Sequence, residues 1–467
     1  MIYFLTLTIM ANGFVAALVV DEHPLPEERQ MTFSSRNHEL DNNDNFSGDG
    51  RYLCYDTRET FGPGIEHGTT IEVLELETGR EIVLYEPSEI VMGDAPAPGV
   101  GAVSFSLAAP EAAFIHGPPV AEVSERGSYA QWNRNGGRVT LTGDIVEQDG
   151  RLRMLSDGDY AFSWLDKRDA ATDRDTLPGA HRGGTHRHEY SRDGRRIGFT
   201  YNDAVLPHYD RTVGYLEAHS AAPAPASHYF AALVPVVPKG ASGPGEIEKA
   251  YGDSWVDGAG AMRAFIGVVR DEDGEGYQES LFVVDIPLDT DITTADSGGA
   301  DRFPTPPEGV YIRRLTHDWA GGIVRGSPDG NRIAYYGKDD DGLSQVFIIP
   351  ADGSDRHTDA AKRPIQATFL PGGTEAGLRW HPGGNHILCV SEGGLALVGV
   401  APGEGFGRAH FLTPRNDGIE RYAPVISPDG GLAAYNRTAP VTDEDGARLY
   451  NYAGRDFSQI FVVDITL

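Results

Sequence analysis

One short unit returns along the 467-residue chain and limits its fold more than any other feature. FSGDGRYLCYDTR (46–58), EYSRDGRRIGFTYND (189–203), RGSPDGNRIAYYGKDD (325–340), RWHPGGNHILCVSE (379–392) and VISPDGGLAAYNRT (425–438) share one plan. A short strand meets a polar turn ending in Gly, and an alternating apolar strand follows. FSLAAPEAAFIHG (105–117) is a copy without the glycine, and 262–288 supplies an outer strand pair without the SPDG turn. Further strands follow the well-formed units, as in TTIEVLELETGREIVLY, SQVFIIPADGSD and the closing SQIFVVDITL. About seven units of roughly four strands predict an all-β chain folded as a seven-bladed β-propeller, because radial repetition of four-stranded sheets protects their edges. Closing such a ring requires the chain ends to pair, so SQIFVVDITL is expected to complete a blade begun near the N-terminus.

A single propeller domain is expected over 31–467, with loop insertions near 118–180 and 235–310. Insertions in repeat folds collect on one face, often the binding face; for DTDITTADSGGADRFPTPPEG a solvated linker is the better-fitting alternative. Residues 1–30 read either as a signal peptide or as an extra N-terminal segment. MIYFLTLTIMANGFVAALVV is apolar enough for a secretory core but lacks the positive flank. The first reading implies a secreted or periplasmic protein, the second a cytoplasmic one.

The formal net charge of −30 excludes a general affinity for nucleic acid or an anionic membrane; an anionic partner must meet a local basic patch. Only five of the 39 basic residues are Lys, a composition suited to saline surroundings, where screening shortens to about 3 Å at 1 M salt. Cys54 and Cys389 lie in no CxxC pattern, so neither a disulfide framework nor a thiolate metal site is expected.

The stretch RGGTHRHEY (182–190) concentrates Arg182, His186, Arg187 and His188 within this acidic chain. On a regular strand, period two puts His186 and His188 on one face and Arg187 on the other. The first strand of a propeller blade lines the central channel, so the histidine pair is expected at the axis, with Gly183 and Gly184 admitting backbone or substrate. Packing and hydrogen bonding are the competing reading of H-x-H. His208, beyond the YND corner, is expected to approach the pair from a neighbouring strand.

Residues 32–79, FIHGPP (114–119), RGGTHRHEYSRDGRRIGFTYND (182–203), EIEKAYGDSWV (246–256) and RLTHDWAGGIVRGSPDG (314–330) together resemble a bacterial propeller family similar to the seven-bladed ulvan lyases. H-x-H-x-x-S-x-D-G also resembles the metal-binding segment of oligogalacturonate lyases, and SPDG repeats with RLT resemble non-catalytic propellers of the TolB type.

The lyase resemblance implies β-elimination on a uronate-containing, ulvan-like glycan, so the expected partner is an anionic polysaccharide or oligosaccharide. A base removes the C5 proton, an acid protonates the leaving C4 oxygen, and donors offset the carboxylate as charge develops. On that pattern His188 and His208 are the base and carboxylate-side histidines, Tyr251 the acid and Arg263 the neutraliser, with Tyr229 or Arg270 as alternatives; aromatic packing is the rival reading of Tyr251 and a structural salt bridge that of Arg263. Asn37, His38, Arg58, His116, Arg182 and His186 are expected to bind substrate. This chemistry requires no cofactor. The oligogalacturonate-lyase alternative would place a divalent Zn, Mn or Ca ion on His186 and a neighbour such as His228. The TolB alternative is a propeller that binds a protein or sugar without turnover.

Overall fold

The computed structural model describes residues 24–40, 42, 44–58 and 64–466, together with the paired strands Thr8–Ala11 and Phe14–Ala17. The signal-peptide reading concerns a stretch that otherwise lies outside the described residues. Strands hold 44% of the chain and helices 4%, in seven sheets arranged as a β-propeller, as the repeat predicts.

Each blade starts at the channel. The innermost strands of blades 2 to 7 are Val100–Phe105, Gly183–Tyr190, Ile247–Trp255, Gly321–Gly326, Glu375–Trp380 and Tyr422–Ile426. Blade 1 begins with an irregular segment that bridges Tyr52–Arg58 at Glu39↔Asp56 and Phe46↔Leu53. Local chemistry explains why the S-x-D-G turns recur. In blades 1, 3, 5 and 7 the turn serine donates to the aspartate two residues on, at 2.7, 2.7, 2.5 and 2.6 Å. Its oxygen also accepts the amide that starts the next strand, at 3.0 Å each time. The glycine takes a positive φ of 70 to 80°, which only glycine adopts without strain.

The ring closes as its termini require. Arg29–Gln30 pairs antiparallel with Phe457–Asp464 as the outer strand of blade 7. The Glu28 carboxylate grips the Arg421 fork at 2.7 and 2.8 Å, so the propeller starts slightly ahead of Met31. Apolar side chains such as Phe199, Tyr215, Phe230, Trp255 and Phe265 fill the space between neighbouring blades.

The insertions are structured. Within the first, residues 118–134 carry the short helix Val123–Arg126 between the second and third strands of blade 2. The hairpin Asp144–Gln148 with Arg151–Leu155 then extends the outer edge of blade 1. The segment 286–310 is not a solvated linker: it packs Ile292–Thr294 against His228–Ala232 of blade 3 and buries Ile292 and Phe303. Enough apolar surface is hidden there to hold the loop on the domain.

Candidate functional site

A repeated backbone defect shapes the channel. The innermost strands of blades 2 to 7 each break register, at Gly101/Ser104, His186/Glu189, Tyr251/Ser254, Gly321/Arg325, Glu375/Arg379 and Tyr422/Val425. Within each break one residue has positive φ: Ala102, Arg187, Gly252, Gly322, Gly377 and Ala423. Such a bulge adds a backbone position and re-aims the side chains beyond it. In blade 3 it cancels the expected alternation, and His186 and His188 no longer share a face.

His186 opens onto a cleft on the face opposite the S-x-D-G turns. The outer part, about 720 Å³, is lined by Arg58, His67, Tyr129, Trp132, Arg134 and His186. The inner part, about 230 Å³, continues from His186 past Arg187 and Arg211 to Tyr251, Asp253 and Arg325. Residues 129–134 of the insertion make one wall. Gly184 lets that wall come close: a Cβ there would sit 2.3 Å from the Gln131 carbonyl oxygen.

The electrostatics are lopsided. Arg134 is only 3% exposed, and its Nη1 donates to the Tyr129 hydroxyl at 2.9 Å, while Nε and Nη2 are buried without a hydrogen-bond partner. Arg211 donates from Nε to Asn202 at 3.1 Å. Neither arginine belongs to an ion pair among the described residues. Burial, then Arg134, Arg211 and Arg187, push the His186 imidazole well below its usual range, so it is neutral. Burial likewise raises the Tyr129 phenol, which keeps its proton.

The two histidines expected to act together lie apart. His188 has no exposure; its ring sits 5.9 Å from that of Phe199 and its Nε2 lies 3.1 Å from the Thr185 hydroxyl. It belongs to a buried group around Asp166 and lines neither part of the cleft. His208 is exposed on a loop, against Tyr209, because Asp203 accepts the amides of Val205 and Leu206 and turns the chain outward.

Arg263 is engaged within the protein, as the salt-bridge reading expects. It is 1% exposed, its Nη1 donates to Glu189 at 3.0 Å, its Nε to Asp253 at 2.7 Å, and it stacks on Trp255. Both carboxylates it needs come from the protein. Tyr251 does reach the inner cleft, but its hydroxyl donates to Glu279, which also accepts from Trp319.

Of the expected binding residues, His186 and Arg58 line the cleft, with Arg58 also pairing with Asp56 at 2.8 Å. Asn37 and His38 instead serve ring closure: Asn37 accepts from the Ser458 amide at 3.0 Å, and His38 Nδ1 lies 3.1 Å from the Ser458 carbonyl oxygen. His116 is buried between the Tyr85 hydroxyl, 2.8 Å away, and the Gly117 carbonyl oxygen. Arg182 is fully buried on Asp203 at 2.8 Å and on the Gly299 carbonyl. Missed were Arg134, Arg211, Tyr129 and Trp132. QWNRNGG, an aromatic and an arginine beside glycines within an insertion, was the available signal.

The proposed metal ligands do not fit a metal. His186 lies on the innermost strand of blade 3 and His228 on its outermost, where its Nδ1 lies 2.8 Å from the Ser227 hydroxyl. Among the described residues no three His, Cys, Asp or Glu side chains are placed to hold an ion together.

Fold and site therefore define a seven-bladed β-propeller with a cation-lined cleft over one face. The chain is 30% identical over 437 residues to the uncharacterized protein YidR of Escherichia coli (strain K12), covering 87% of this chain and 94% of that protein, and it belongs to the YidR family. Residues 99–222 match a family described as Protein of unknown function (DUF3748), a span that includes Arg134, His186 and Arg211. An oligogalacturonate lyase solved in complex with manganese is similar in fold, at 10% identity with a TM-score of 0.50, covering 95% of this chain and 99% of that one. A putative TolB from Agrobacterium tumefaciens matches at 15% identity with a TM-score of 0.33, covering 60% of this chain and 90% of that one.

Proposed function

We propose that this protein binds a uronate-containing saccharide in the cleft and cleaves it by β-elimination. The observation that carries the reading is Arg134: a buried guanidinium with two unpartnered nitrogens, beside Arg211 and a neutral imidazole, in a cleft open to solvent. A buried cation without a counter-charge is costly, and an incoming carboxylate supplies that charge. Arg134 and Arg211 hold the sugar carboxylate and offset its charge as the C5–H bond breaks. His186 accepts the proton, replacing His188 in that role. The electron pair forms the C4–C5 double bond and the C4–O bond breaks. Tyr129 gives the leaving oxygen its proton; its hydroxyl accepts from Arg134, which leaves the O–H free, whereas the Tyr251 proton is engaged by Glu279.

Ulvan is the first polymer to try, followed by polygalacturonate and sulfated glycosaminoglycans. A polymer substrate goes with export, an oligosaccharide with retention in the cell. Elimination leaves an unsaturated uronate, so ultraviolet absorbance reports turnover. Product is expected with the wild type and is lost in Arg134→Gln and His186→Gln variants of unchanged melting temperature. Binding of these glycans without product, lost in Arg134→Gln, supports the second reading, a saccharide-binding propeller without turnover. The commitment of Arg263 to Asp253 and Glu189, and of Tyr251 to Glu279, favours that alternative. Neither product nor binding on any uronate polymer sinks both.

A further inference from the structure

The channel has a second cavity at its other end, on the face of the S-x-D-G turns, with a volume of about 190 Å³. Arg325 and Arg379 enter it from matching positions in blades 5 and 6, each two residues ahead of its turn. Both are held by main-chain carbonyls: Arg325 donates to Val324 at 3.1 Å, and Arg379 to Leu378 at 2.7 Å and Asn42 at 2.8 Å. Their Nε atoms are buried and have no hydrogen-bond partner. Neither arginine is in an ion pair among the described residues. Three carboxylates line the same cavity, and Asp257 is occupied by the amides of Ala259, Ala261 and Met262. Glu189 already serves Arg263 at 3.0 Å and Ser254 at 2.8 Å, which leaves Asp44. Burial and the mutual repulsion of Arg325, Arg379 and Arg187 pull Arg379 well below the usual guanidinium range. Like charges so placed need a counter-ion.

We propose that this cavity binds a tetrahedral oxyanion, inorganic phosphate or sulfate, between Arg325 and Arg379, at the opposite end of the channel from Arg134, with Arg325 also reaching the inner end of the saccharide cleft and Arg379 lining the second cavity alone. The planar guanidinium fork matches such an oxyanion better than it matches chloride. Ser254 and Asn45 add polar groups to the wall, and the indoles of Trp255 and Trp380 close its sides. Those rings are themselves fixed, donating to the carbonyls of Glu189 at 2.9 Å and Arg325 at 3.0 Å. The cavity is therefore held open by the fold.

The test compares melting temperatures of the full chain in phosphate, sulfate and chloride at equal ionic strength, after dialysis into chloride. A saturable rise over chloride is expected with phosphate or sulfate, and the ion with the lower half-saturation identifies the ligand. The rise should vanish in Arg379→Gln and in Arg325→Gln and persist in Arg134→Gln. No rise in the wild type, a rise that survives Arg379→Gln, or one lost instead in Arg134→Gln overturns the proposal. Should the arginine variants not fold, wild-type crystals soaked in selenate decide: an anomalous peak between the two guanidiniums is expected, and none at saturating selenate overturns it.

Discussion

Two polar groups flank the strand Gly183–Tyr190 and are built on opposite principles. In the first, His181 and His188 gather around Asp166, which accepts from Thr185 at 2.7 Å, from Asn135 at 2.8 Å and from the Gly136 amide at 3.0 Å. In the second, Arg134, Arg211 and His186 gather around open space. Arg134, 3% exposed, is nearly as buried as Asp166 at 2%, so burial alone does not mark the functional group. What separates them is whether the protein supplies the counter-charge: Asp166 stands beside both histidines, and no carboxylate pairs with Arg134 or Arg211 among the described residues; Arg263 falls with the first group and Arg134 with the second.

The largest expected effect tests this difference directly. Asp166→Ala leaves buried donors without an acceptor and should destabilise the fold by about 3–5 kcal/mol, as should Arg263→Gln, which strands two carboxylates. Arg134→Gln, by contrast, should leave the denaturation midpoint unchanged or raise it, while lowering kcat/KM by on the order of 100-fold. Denaturation curves and rates on the same preparations check both. Loss of folding in Arg134→Gln with a tolerant Asp166→Ala would reverse the assignment of the two groups.

Acid provides the next contrast. Burial depresses His116, His188 and His228 to about 4, against an ordinary value near 6.5. As pH falls the unfolded chain takes up these protons first, so the stability they confer is full above pH 6.5 and is lost progressively down to pH 4, about 3 kcal/mol for each. Asp166, held at about 2 against an ordinary 3.8, adds a second loss below pH 3.8. His188→Gln should remove part of the slope between pH 6.5 and 4, to which His186 and His386 also contribute. An unchanged slope in melting temperature against pH would show that His188 is not buried neutral.

The sequence carried the architecture because the S-x-D-G turn is a local device: serine, aspartate and glycine satisfy each other within six residues. Closure was legible for the same reason, as an orphan strand at each end of a ring. His186 stands out as one of two histidines beside two glycines. Its partner is hidden because the bulge rests on Arg187, a non-glycine at φ 60°, and nothing in RHEY marks a residue that leaves the β region. Gly252, Gly322 and Gly377 announce the same defect in other blades. Arg263 and Arg182 resemble substrate groups in the sequence because their partners, Glu189 and Asp203, meet them only in the fold. Arg134 is inconspicuous for the converse reason: its distinction is a missing partner, which no string of residues displays.

A smaller effect is expected at the cleft wall. A methyl group in Gly184→Ala would stand 2.3 Å from the Gln131 carbonyl oxygen, so the segment carrying Arg134 must move outward. A displacement of this kind should raise KM several-fold more than it lowers kcat, because the carboxylate grip loosens while His186 stays on its own strand. Equal losses in both would place Gly184 in the chemistry rather than the wall.

The smallest effect belongs to Trp132, 55% exposed at the mouth of the cleft. Its indole covers nothing in the core, so Trp132→Ala should leave melting unchanged, as for surface substitutions generally. An exposed aromatic plane beside a carboxylate grip suits the flat apolar face of a neighbouring sugar ring. Its loss should cost about 1 kcal/mol of binding, a several-fold rise in KM for a polymer and little change for a disaccharide too short to reach it. Equal sensitivity of short and long substrates would move the reacting ring outward to Trp132, away from His186, and with it the boundary between the paired and the open side of this strand.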